Sequence, residues 1–93
     1  MAVELPMTAS MTTIDHDTIR SWVEAREGHP ARVKGAPNGG ILRIDFGKPE
    51  ETLEEISWEE FFQIFEKENL AFLHQDLTDD GQTSRFCKFI HRH

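Results

Sequence analysis

Five cations in the chain have a spacing that could place them together around an anion. They are Arg32, Lys34, Arg43, Arg85 and Lys88. The first three alternate with apolar residues in two strand-like stretches, so they are predicted to project from one side of a hairpin. Such a face can hold an anion or a single strand of nucleic acid, with Phe86 or Phe89 as the stacking aromatic. The alternative is a solvated face whose cations pair with nearby acids across the strands.

A second group consists of six glutamates: Glu50, Glu51, Glu54, Glu55, Glu59 and Glu60. Paired carboxylates can perform acid–base or glycosidic chemistry when burial raises the pKa of one of them. These six are expected in a loop and on the outer face of a helix, where carboxylates stay solvated and ionised. The acidic run is therefore interpreted as a surface, which could still dock a basic partner.

The histidines and the single cysteine form no motif. The histidines are His16, His29, His74, His91 and His93. They lack the short fixed spacing with a second ligand type that metal sites use, so no metal and no cofactor is predicted. Cys87 lies among phenylalanines and is interpreted as a small buried hydrophobe. No catalytic residue is assigned.

Length and composition limit the classes of protein that the chain could be. Its 93 residues are enough for one domain, and a net charge of −7 argues against a protein that contacts nucleic-acid phosphates over its whole surface. No apolar run is long enough to cross a membrane, and no secretory signal is recognisable. With one cysteine an internal disulfide is excluded, so a cytoplasmic location is expected.

Two helices are predicted from capping signals and apolar periodicity. The first spans Ile14–Gly28, with Asp15 as N-cap and Gly28 as the residue that ends it. The second spans Trp58–Glu68, with a capping box at Ser57 and an ending at Asn69. Each has an apolar stripe at positions i, i+3, i+4 and i+7. In the second helix the stripe consists of Trp58, Phe61, Phe62 and Phe65, which are interpreted as core.

Strands are predicted after each helix. The first pair is Ala31–Gly35 and Ile41–Phe46, joined by a turn at 36–40, and residues 47–52 form a loop. The second pair is Leu70–Leu77 and Ser84–His91, with Asp80-Gly81 in the turn. Apolar positions repeat at an offset of 39 residues, which suggests two related halves.

The predicted fold is α+β: two α-β-β units form a four-stranded antiparallel sheet with both helices packed on one face. Residues 1–13 are expected to be a disordered tail, because they have no period and few large apolar groups, and residues 14–93 to be one domain.

Most of the chain also resembles a family of small bacterial proteins. The likeness spans Asp15–Ile90 and is carried by the blocks DHDTIRSWVEAREGHPARVKG, GGILRIDF, LEEISWEEFFQIFEKENLAFL and SRFCKFI. The family has no established activity, although its members are sometimes labelled 1,4-alpha-glucan branching enzyme. That label would imply a catalytic barrel of roughly 250 residues, which is far longer than this chain.

The sequence therefore favours a non-enzymatic binding or interaction module, monomeric or homodimeric, with a protein or an anionic ligand as its partner. One alternative is a carbohydrate-related enzyme or subunit, which would need a concave pocket with convergent polar groups. The other is a nucleic-acid accessory protein that uses Arg32, Lys34, Arg43 and Phe89.

Overall fold

The computed structural model describes residues 10–36 and 41–92, which form a small α+β domain with antiparallel sheets. Along the chain the order is strand, helix, strand, strand, and the same order then repeats. The elements are β1 (Ser10–Thr13), α1 (His16–Glu24), β2 (Gly28–Val33), β3 (Leu42–Phe46), β4 (Leu53–Glu55), α2 (Trp58–Lys67), β5 (Leu70–Gln75) and β6 (Cys87–His91). The predicted fold class is thus confirmed at the level of two helices and antiparallel strands.

Both helices begin at the predicted residues. The Asp15 carboxylate accepts the backbone N–H of Thr18 at 2.9 Å, and the Ser57 hydroxyl accepts that of Glu60 at 3.0 Å. Each bond satisfies one of the donors that the first turn of a helix leaves without an intrahelical partner. Asn69, with φ 55°, ends α2 in the left-handed conformation, as predicted.

The end of α1 differs from the prediction. Glu27, with φ 58°, takes the left-handed position, and Gly28 is already the first residue of β2. A Cβ on Gly28 would lie 2.8 Å from Val23 Cγ1 and 3.0 Å from Ile44 Cγ2. Glycine is therefore needed at position 28 because the strand approaches the core closely there. The left-handed position in the turn falls to Glu27, for which that conformation is strained.

The prediction of a single four-stranded sheet is wrong, because the strands form two three-stranded sheets, in the orders β1–β5–β6 and β3–β2–β4. The short strands β1 and β4 were not predicted as strands. Ser10–Thr13, assigned to the tail, pair with β5 instead, whereas residues 1–9 lie outside the described part of the chain. Leu53–Glu55 pair with β2. The turn predicted at 36–40 falls largely outside the described residues.

The two halves repeat at 42 residues and not at 39. The N-caps Asp15 and Ser57 and the left-handed residues Glu27 and Asn69 are each 42 residues apart. The predicted offset of 39 residues matched the first residue of the apolar stripe of α1 to Trp58, which lies only half buried at the start of α2. The first strand of each half pairs with the second strand of the other half, so the halves exchange strands and form one domain.

One hydrophobic core joins both helices and both sheets. Its fully buried large side chains are Ile19, Val23, Phe61, Phe65 and Phe72. The stripe of α2 is thus core at its centre, as predicted, and half buried at its margins. Because both helices contribute to this one cluster, the opposite faces of the sheets and the edges of their outermost strands are where a partner could bind.

Candidate binding cleft

The first of the predicted basic residues is engaged within the protein. Arg32 donates from Nε to Glu54 Oε1 at 2.7 Å and from Nη1 to Glu60 Oε2 at 3.0 Å. The hydrogen bond that Arg32 donates to Glu54 raises the pKa of the guanidinium above its ordinary value. This is the cross-strand pairing that the sequence left as the alternative. The same two bonds neutralise part of the acidic run, because Glu54 and Glu60 are two of its six glutamates.

Strand register places two of the predicted cations on opposite faces. Arg32 lies opposite Leu42 in the ladder, and Ala31 lies opposite Arg43. Directly opposed residues share a face of a sheet and consecutive residues do not, so Arg32 faces α2 whereas Arg43 faces away from it. The prediction that they project from one side is wrong. Lys34, exposed in the turn after β2, lies outside both faces.

The remaining three cations lie where the two sheets meet. Strand β3 ends one sheet and β6 ends the other, and no ladder pairs them. The Arg85 guanidinium carbon lies 5.8 Å from the centre of the Phe46 ring, and Leu42 lines a pocket together with Phe89. The start of β3 is thus close to the middle of β6, and its end is close to the residues before β6. The two strands therefore run in opposite directions at the boundary between the sheets, and they are not paired with each other.

Arg43, Arg85 and Lys88 are exposed along this boundary. Lys88 lies opposite Leu73 in its ladder, whereas its neighbour Phe89 lies opposite the buried Phe72. Lys88 therefore projects from the face away from the core, as Arg43 does. Arg43 thus lies near the start of β3, Arg85 near its end and Lys88 in β6, at a boundary between sheets that the sequence did not reveal.

An apolar pocket opens between the two strand edges. It has a volume of about 170 Å³ and is lined by Ile41, Leu42, Arg43, Ile64, Glu68, Leu70 and Phe89. Ile41, at its rim, is 50% exposed. Phe89 forms its inner wall and packs against Phe61, with ring centres 5.8 Å apart. We refer to this pocket, together with the strands β3 and β6 that line it, as the cleft.

A second polar cluster surrounds Arg26, whose side chain is only 9% exposed. Its guanidinium stacks on the Trp22 ring at 4.0 Å and donates to the backbone carbonyl of Ser84 at 2.5 Å. Further bonds reach the carbonyls of Trp22 at 3.0 Å and Asp76 at 3.1 Å. Burial lowers the pKa of the Arg26 guanidinium. The cation thus fastens the segment before β6 to α1.

Cys87 and His74 lie opposite each other in the ladder between β5 and β6. Burial raises the pKa of the Cys87 thiol to about 11, and burial also lowers the pKa of His74. Both groups are therefore neutral at neutral pH, and the thiolate that nucleophilic catalysis requires is disfavoured. His74 Nδ1 is 3.5 Å from Asp76 Oδ1, too far for a good hydrogen bond.

Glu66 joins the start of α1 to the end of the chain. Its Oε2 accepts a bond of 2.7 Å from Arg92 Nη2 and lies 2.8 Å from His16 Nε2. The bonds from Arg92 and His16 hold the pKa of this carboxyl at about 2. Arg92 Nε also donates to the carbonyl of Leu70 at 2.6 Å. The exposed Glu66 therefore links α2 to the start of α1 and to the residue after β6.

Among residues 10–36 and 41–92, no group of three or more His, Cys, Asp or Glu side chains is arranged to hold a metal ion. Within the same residues no helix has the length and apolarity to span a membrane. Comparisons of the chain with protein-family models, curated proteins and solved structures found no match.

Proposed function

We propose that the protein is a binding module that takes up an extended segment of a partner protein along the cleft. The observation that supports this proposal is that β3 and β6, each the outermost strand of its sheet with one edge unpaired among the described residues, both line one apolar pocket. An edge strand offers a row of backbone donors and acceptors, and an added strand gains affinity from them while pockets for its side chains provide specificity.

The size of the pocket favours a side chain as its occupant. Small-molecule sites usually have volumes of about 300–1,000 Å³, whereas the cleft pocket has about 170 Å³. A cavity of about 150 Å³ is enough for one benzene ring. One aromatic or branched aliphatic side chain therefore fits, whereas a glucan chain, as the resemblance would imply, needs a larger hollow.

The expected affinity is modest. Burial of one large apolar side chain contributes about 1.5–3 kcal/mol, and each net hydrogen bond contributes about 0.5–1.5 kcal/mol. Association and ordering of the segment oppose these gains. A dissociation constant of about 1 μM or weaker follows, as is suitable for a transient interaction.

The test uses a displayed library of random peptides of about ten residues, long enough for one strand. Enriched peptides are titrated against the wild type, Ile41→Asp and the matched control Ile14→Asp. Ile41 and Ile14 are 50% and 52% exposed, so neither substitution disturbs the core. We expect Ile41→Asp to weaken binding at least tenfold, since it places a charge at the apolar pocket, and Ile14→Asp to leave binding unchanged.

Amide NMR spectra provide the second readout. Peptide binding is expected to shift the signals of β3 and β6, and parallel titrations use a maltooligosaccharide and a single-stranded oligonucleotide. Failure to enrich any peptide, or equal binding by both isoleucine variants, would refute the proposal. Shifts at the cleft with the maltooligosaccharide alone would replace it with the carbohydrate-related alternative.

A further inference from the structure

The arginines beside the cleft differ from the other arginines of the protein. Four arginines away from it each lie within 4.0 Å of a carboxylate, namely Arg20, Arg26, Arg32 and Arg92. Among the described residues Arg43 and Arg85 have no such partner. The Arg43 guanidinium donates to the carbonyl of Leu42 at 3.0 Å, and that of Arg85 lies over the Phe46 ring.

This difference is informative because the protein has an excess of acids. With 17 Asp and Glu against 10 Lys and Arg, four of the six arginines lie beside a carboxylate, and the two that do not, within the described part of the chain, are Arg43 and Arg85. Arg43, Arg85 and Lys88 all lie along the cleft, and all are exposed. We refer to these three cations as the positive strip: Arg43 and Lys88 project from the outer faces of β3 and β6, and Arg85 lies beside Phe46. Such a group of cations attracts and orients negatively charged partners.

We infer that the segment bound in the cleft is acidic, with one apolar anchor residue flanked on each side by a carboxylate. This inference depends on the proposed function. Side chains alternate between the two faces of a strand. An anchor that points into the pocket therefore directs the residues before and after it toward the face from which Arg43 and Lys88 project.

Two acids near the cleft limit where the ligand carboxylates can lie. Glu68 lines the pocket on the side of α2, so a second carboxylate there would be repelled. Asp45 shares the face of Arg43, but its carboxylate already accepts the backbone N–H of Glu50 at 3.2 Å. The acidic residues of the segment are therefore expected on the outer face, beside the cations, and not inside the pocket.

The test compares synthetic peptides of about ten residues that differ only at their centre: Glu-Phe-Glu, Gln-Phe-Gln, Lys-Phe-Lys and Glu-Ala-Glu. Binding to the wild type is measured by calorimetry at low and high salt. We expect the Glu-Phe-Glu peptide to bind about fivefold to tenfold more tightly than Gln-Phe-Gln, since exposed ion pairs are individually weak. The preference should decline at about 1 M salt, where the screening length falls to about 3 Å.

Protein variants locate the effect. The double variant Arg43→Gln/Lys88→Gln should lose the preference for the Glu-Phe-Glu peptide, and Arg20→Gln, which removes an exposed cation on α1, should retain it. Equal binding of Glu-Phe-Glu and Gln-Phe-Gln would overturn the acidic preference while leaving the binding module intact. Failure of every phenylalanine peptide to bind would overturn both. Tighter binding of Lys-Phe-Lys would show that the glutamates of the protein and not the strip select the partner, and would also overturn the inference.

Discussion

Two adjacent residues at the end of α1 are expected to respond in opposite directions when their side chains are changed. Glu27 has φ 58°, a conformation that costs an ordinary L-residue about 1–2 kcal/mol relative to the right-handed region. Glycine adopts it without strain but loses about 0.4–1 kcal/mol through the greater freedom of the unfolded chain. Glu27→Gly is therefore expected to raise the free energy of unfolding by about 0.5–1 kcal/mol.

Gly28 is governed by space and not by backbone conformation. The added methyl of Gly28→Ala would lie 2.8 Å from Val23 Cγ1, 3.0 Å from Ile44 Cγ2 and 3.0 Å from Phe46 Cε1. At least one of these packed side chains must move. Insertion of a methyl group into a packed core typically costs about 1–3 kcal/mol, which exceeds the gain from restricting the unfolded chain.

Thermal unfolding followed by circular dichroism measures both changes. In a domain of this size 1 kcal/mol shifts the midpoint by about 4–8 °C, so Glu27→Gly should raise it by several degrees and Gly28→Ala should lower it. The repeat supplies a matched control at Asn69, with φ 55°. Asparagine tolerates this conformation, so Asn69→Gly should change the midpoint less than Glu27→Gly. A lower midpoint for Glu27→Gly, or an unchanged one for Gly28→Ala, would refute this account of the turn.

Phe65→Ala, at a fully buried position, should reduce the free energy of unfolding by about 3–5 kcal/mol in urea titrations, and an unchanged denaturation midpoint would mean that α2 does not supply the core. The pKa of Glu66 is about 2, below its ordinary 4.5, so the stability it contributes is present above pH 4.5 and is lost as the pH falls toward 2. Urea titrations across that range should show a smaller acid dependence for Glu66→Gln than for the wild type. The pKa of His74 is lowered from 6.5 in the folded protein. As the pH falls below 6.5 the unfolded chain therefore takes up the proton more readily than the folded protein does, and the free energy of unfolding declines. His74→Phe should reduce that decline, and an identical pH profile would contradict the assignment. Because the pKa of Cys87 is about 11, alkylation by iodoacetamide at pH 8 should be slow in the native protein and fast in urea, whereas equal rates would show an accessible thiol.

The cleft could be predicted only in part. The cations Arg43, Arg85 and Lys88 were recognisable as candidates from their charge and alternation. Their assembly at one boundary depends on β3 and β6 being the terminal strands of two separate sheets. The apolar pocket draws residues from four elements and from Ile41 and Glu68 beside them, so no local pattern in the sequence marks it.

What the sequence by itself determined is local. The N-caps at Asp15 and Ser57 and the ending at Asn69 depend on bonds that close within a few residues, and the apolar stripe of α2 follows from helical periodicity. Such interactions form irrespective of what surrounds them, and for that reason they could be read from residue types and spacing.

Only the tertiary structure decided how the strands combine. A strand as short as Leu53–Glu55 has no readable period, and its paired residues in Ala31–Val33 lie 20 to 24 residues away along the chain. Alternation within one strand does not determine its register against another, and a shift of one residue moves every side chain to the opposite face. For this reason Arg32 faces α2 and bonds to Glu60, while Arg43 projects from the opposite face.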